Sequence, residues 1–123
     1  MKKFLLFIMF GLLFSYSCTN KVEFSGKVYN DLNGNNVFDT NEPGVKDVKI
    51  ESGNVTVYSY SDGSFNIEGE IGSAGTTIKL YFSKPGYKDT EKEVEIDYID
   101  EDKKTLGPVN EENNTVMVGM VTN

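Results

Sequence analysis

The chain has 123 residues, with 12 basic and 19 acidic side chains and a formal charge of −7. Every basic residue is lysine; there is no histidine, no tryptophan and one cysteine. These absences exclude a Ser-His-Asp triad, a Cys-His dyad, an internal disulfide and a zinc site built on Cys or His. The acidic balance argues against a nucleic-acid partner, which is usually met by a basic face. An oxygen-ligand metal site, carboxylate or lysine chemistry, or a non-catalytic module remains.

Residues 1–17 predict a signal peptide. Lys2 and Lys3 form a positive start, and Phe4 to Phe14 is apolar except for Gly11. Those eleven residues rise only about 16 Å as a helix. A bilayer core needs roughly 20 residues, so the run is too short for a stable span. Cleavage has two readings. The run ending at Cys18 resembles a bacterial lipoprotein signal, in which the cysteine becomes the lipidated first residue. Ser15 and Ser17 also fit an ordinary secretory cleavage site. The place of the lone cysteine directly behind the apolar run favours the first. Cys18 is then the lipid attachment, residues 18–23 are a tether, and the protein is exported to the bacterial cell envelope. Whether it faces the surface or the periplasm stays open. Taking 17 residues from 123 leaves 106, enough for one domain with its own core. The cut removes two lysines and no acid, so the side-chain charge moves from −7 to −9.

From residue 24 to 123 the pattern is alternation, not a helical period. Phe24, Gly26 and Val28 alternate with Ser25, Lys27 and Tyr29. Val48 and Ile50 follow a Pro43-Gly44 turn. Val55 and Val57 alternate with Thr56, Tyr58 and Tyr60. Ser61-Asp62-Gly63-Ser64 is a turn leading to Phe65 and Ile67. Ile78, Leu80 and Phe82 share a face. Lys84-Pro85-Gly86-Tyr87 is the next turn, before Val94, Ile96 and Tyr98. Asp100 to Asn114 is acidic and Asn-rich, and reads as a loop. Val116, Val118 and Met120 close the chain. The spacing predicts an all-β fold of about seven strands, arranged as a two-sheet antiparallel β-sandwich.

One loop carries chemistry. From Asp31 to Glu42 the chain reads DLNGNNVFDTNE, with side-chain oxygens at positions 1, 3, 5, 9 and 12. These are the ligand positions of an EF-hand loop, where position 7 gives a backbone carbonyl. The predicted calcium ligands are Asp31, Asn33, Asn35, Val37, Asp39 and Glu42. Calcium takes six to eight oxygens, so the chain must wrap tightly. Asn36 stands at the position where the wrap needs a left-handed residue. Phe38 is expected to pin the loop to the core. The alternative is an Asx-rich turn without an ion.

The flanks carry a resemblance. Gly26-Lys27-Val28-Tyr29-Asn30, the loop, and Glu42-Pro43-Gly44-Val45-Lys46-Asp47-Val48 together resemble the start of an SdrD B-like domain. Ser61-Asp62-Gly63-Ser64-Phe65 is similar to a hairpin of that family and of carboxypeptidase regulatory-like domains. The resemblance implies a Cna-B or prealbumin-like (Ig-like) sandwich with calcium after the first strand, of the kind used as stalks in surface proteins. It also raises a Lys–Asn isopeptide bond, for which Lys27 with Glu68 or Glu70 is the candidate.

Tyr58, Tyr60 and Tyr81 are expected on outward faces and are candidate ligand-binding residues. Glu91, Glu93, Glu95 and Asp97 read as a solvated acidic row. The expected protein is a monomeric, non-enzymatic, lipid-anchored module with a structural or adhesion role at the cell surface. The alternative is a surface or periplasmic binding protein for glycan or peptide, with calcium as the only cofactor in either case.

Overall fold

The computed structural model describes residues 21–100 and 105–123. The expected signal peptide and the expected lipid attachment at Cys18 lie outside the described residues. Eight strands follow in order: β1 Val22–Asn30, β2 Lys49–Ser52, β3 Val55–Tyr58, β4 Ser64–Gly69, β5 Thr76–Ser83, β6 Thr90–Asp100, β7 Thr105–Val109 and β8 Thr115–Met120. A single 3-10 turn, Glu112–Asn114, precedes β8, and no α-helix occurs among the described residues.

The strands form one mixed sheet in the order β3-β2-β5-β6-β7-β1-β4, with β8 paired to β1. The sheet curls on itself. Phe65 of β4 and Phe82 of β5 are far apart in the strand order, yet their rings meet edge to face at 5.8 Å. Around them Val22, Val28, Val48, Ile50, Ile67, Leu80, Val94, Ile96, Val116 and Met120 are buried. Most of these are the alternate apolar positions of their strands, so period-two patterning selects the inner face.

Three expectations are corrected. The strands are not all antiparallel: β1 runs parallel to β8 from Ser25↔Thr115 to Asn30↔Met120, and meets β7 in parallel at Val22↔Leu106. Alternation defines faces, but it does not say which distant strand will be the partner. Residues 22 and 23, expected in a tether, belong to β1: Val22 is fully buried and paired to Gly69 in β4.

The loop expected over Asp100 to Asn114 contains β7, anchored by buried Leu106. Within β7, Pro108 has no N–H to give to a ladder. It sits opposite Ile96, whose carbonyl is turned the other way, toward Gly75. A pair that exchanges no backbone bonds tolerates a residue without N–H.

Strand β1 changes partners along one edge. Val22 to Lys27 pair with β4. At Val28 the amide still donates to Gly63 O at 2.8 Å, but the carbonyl accepts from Val45 N at 3.0 Å. Asn30 N then donates to Pro43 O at 2.8 Å, and Tyr29 bridges to Gly44. Residues 31–42 are thereby closed into a loop. On the other edge Asp31 N is held by Met120 O at 2.9 Å.

Candidate metal centre

Both ends of the loop are buried: Asp31 is 4% exposed and Glu42 4%. Short Asx turns wrap the chain between them. Asn35 N donates to Asn33 Oδ1 at 3.2 Å, and Val37 N to Asn35 Oδ1 at 3.0 Å. Gly34 and Asn36 take the positive φ values the wrap requires, 70° and 60°.

The three carboxylates play different parts. Glu42 reaches back across the loop. Its Oε2 accepts from Leu32 N at 2.9 Å and its Oε1 from Asp39 N at 2.8 Å. Asp39 Oδ2 accepts from the side-chain amides of Asn33 at 3.0 Å and Asn35 at 3.4 Å. Asp31 Oδ2 accepts from Asn36 N at 2.8 Å. Asp31 Oδ1 is buried with no hydrogen-bond partner. A buried carboxylate oxygen without a partner is costly, and a cation is one way to satisfy it.

The donor set suits a hard cation. It offers carboxylate and amide oxygens and no sulfur or imidazole. Asn33 and Asn35 turn their NH₂ groups to Asp39, while each Oδ1 accepts a backbone amide and keeps a second lone pair. Among the described residues, no three His, Cys, Asp or Glu side chains are grouped so that they alone could hold a metal. A coordination shell in this loop would have to draw on amide or backbone oxygens as well as the carboxylates.

Tyr29 is the residue that alternation misses. It alternates with the inward Phe24 and Val28, yet it is itself buried, with Phe38 of the loop packed on its ring. Gly119, its partner in β8, leaves room: a Cβ there would lie 2.9 Å from the Tyr29 ring. Burial pushes the Tyr29 hydroxyl up, and the charges of Asp31, Glu42 and Asp39 push it further. Phe38 does not enter the core. It is half-exposed and packs edge to face on Tyr29 at 5.2 Å, under the Lys27 ammonium at 5.2 Å. Glu68, the other isopeptide candidate, is paired with Lys21 at 3.0 Å.

The candidate tyrosines are exposed but not assembled. Tyr58, Tyr60 and Tyr81 are 55%, 57% and 48% exposed. Between Tyr58 on β3 and Tyr81 on β5 lies β2, where Lys49 and Glu51 form an ion pair at 3.8 Å. The β6 acids are drawn to separate partners, Glu91 to Lys79 at 3.3 Å and Glu95 to Asn110 at 2.9 Å. Compared with protein-family models and with curated proteins, the chain matches none.

Proposed function

We propose that the chain is an exported, lipid-anchored β-sandwich module of the SdrD B-like or Cna-B-like kind. Calcium bound by Asp31, Asn33, Asn35, Val37, Asp39 and Glu42 stabilises it, and its role is structural or adhesive at the cell surface. The observation that carries the reading is the buried, unpartnered Oδ1 of Asp31 in a loop that also holds Asp39 and Glu42. Calcium supplies one positive centre there. The loop then changes from −3 to −1, which relieves repulsion among the carboxylates.

Stabilisation follows from placement. The loop runs from β1 to the segment paired with β1, so an ion closing it fixes the strand that β4, β7 and β8 share. The reading assigns no catalysis. Glu23 and Glu68 face each other across β1 and β4, but on an exposed face beside Lys21. Thermal unfolding of the full-length protein with millimolar calcium and with chelator tests the metal. An unchanged midpoint would refute it. Labelled palmitate tests the anchor: incorporation that survives Cys18→Ala would remove Cys18 from the reading.

A further inference from the structure

Away from the loop, a cleft of about 430 Å³ opens between the end of the β2–β3 pair and the turn joining β5 to β6. Asp47, Lys49, Tyr58, Lys84, Tyr87 and Asp89 line it. It shares no residue with the loop 31–42. We propose that this cleft binds a neutral oligosaccharide, with the exposed ring of Tyr58 as the surface on which a sugar stacks.

The backbone of both walls is tied by hydrogen bonds. On one side Asp47, at φ 60°, donates its amide to Ser59 O at 3.1 Å. Ser59 is buried; its hydroxyl accepts from Val48 N at 2.9 Å and donates to Val45 O at 2.7 Å. Tyr58, opposite Lys49 in β2, directly precedes this tied residue in the chain. On the other side Tyr87 N donates to Lys84 O at 3.1 Å, closing a turn with Pro85 second and Gly86 at φ 91°. The C-terminal residues brace that turn, through Lys88 N to Val121 O at 2.8 Å and Asn123 N to Gly86 O at 3.0 Å. A backbone that needs no ordering on binding loses less entropy.

The lining selects the ligand class. Asp47 and Asp89 cancel Lys49 and Lys84, so neither a polyanion nor a polycation gains from net charge. A peptide anchor asks for an enclosed apolar pocket, and this cleft is open, with charged side chains along its walls. A sugar has apolar C–H faces and a rim of hydroxyls that both donate and accept. Tyr58 offers the flat apolar surface; it makes no side-chain hydrogen bond or ring contact among the described residues. The carboxylates accept and the ammonium groups donate. The volume falls within the roughly 300–1,000 Å³ usual for small-ligand sites.

The test is calorimetric titration of the full-length protein with chitohexaose, cellohexaose and mannohexaose, and with hexalysine and polygalacturonate as charged controls. At least one neutral hexasaccharide is expected to bind. Tyr58→Ala should weaken it at least about tenfold, Tyr58→Phe should retain most of the affinity, and Tyr81→Ala should leave it unchanged. Unaltered unfolding midpoints check that the variants fold. The proposal is overturned if no neutral sugar binds at millimolar concentration, if only a charged control binds, or if Tyr81→Ala weakens binding as much as Tyr58→Ala.

Discussion

Gly44 and Gly63 meet backbone to backbone: a Cβ built on Gly63 would lie 2.7 Å from the Gly44 Cα. A Cβ on Gly44 would run into the carbonyl of Asp62. Val28 donates to Gly63 O and accepts from Val45 N at this same point. The end of the loop 31–42, the Asp62-Gly63 turn and the middle of β1 are thus clamped together.

Gly44→Ala and Gly63→Ala should each cost about 3 kcal/mol, since the clash is with backbone that cannot swing aside. Gly86 offers the control. It has φ 91° but open space around its Cα, so Gly86→Ala should cost only about 1–2 kcal/mol. Urea unfolding measures all three. Equal losses at Gly44 and Gly86 would show that the close approach is not what matters.

Calcium at about 100 times its dissociation constant should add ~2.7 kcal/mol. In a domain of this size that raises the unfolding midpoint on the order of 10 °C. Asp31→Asn and Glu42→Gln should abolish most of the shift. Asp97→Asn, on the exposed acidic row, should leave it intact. A shift of the same size in all three variants would point to general charge screening.

Ser59→Ala removes a buried hydroxyl that serves Val48 N and Val45 O together. Leaving those groups unpaired should cost roughly 1–3 kcal/mol. Ser59→Cys, similar in shape but a weaker hydrogen-bonding group, should fall between. A neutral Ser59→Ala would mean that water replaces the hydroxyl.

Asp62 titrates below the ordinary aspartate range because Ser64 binds its carboxylate, first through Oγ at 2.6 Å and then through N at 3.0 Å. A depressed folded-state pKa gives stability that is present above the unfolded pKa. It is lost as pH falls through the folded value. Carbon-detected NMR should place the Asp62 midpoint low, and Ser64→Ala should move it up. An unmoved midpoint would assign the shift to some other charge.

Sequence by itself determined the inner face of nearly every strand, because a side chain that alternates with period two has only one face to bury. Phe65, Ile67, Ile78, Leu80 and Phe82 all lie where alternation places them. It also marked the loop from Asp31 to Glu42, since ligand spacing and Asx turns are local properties of the chain. Tertiary structure decided what distance along the chain conceals. It paired β1 in parallel with β8, and made a strand of residues 105–109 despite Pro108. By folding the loop over β1 it buried Tyr29 and left Phe38 at the surface. Each of these outcomes depends on contacts between residues far apart in sequence, which no local period encodes. The single partnerless oxygen of Asp31 arises in the same way: spacing named the residue, and burial beneath the folded loop left its Oδ1 without a donor.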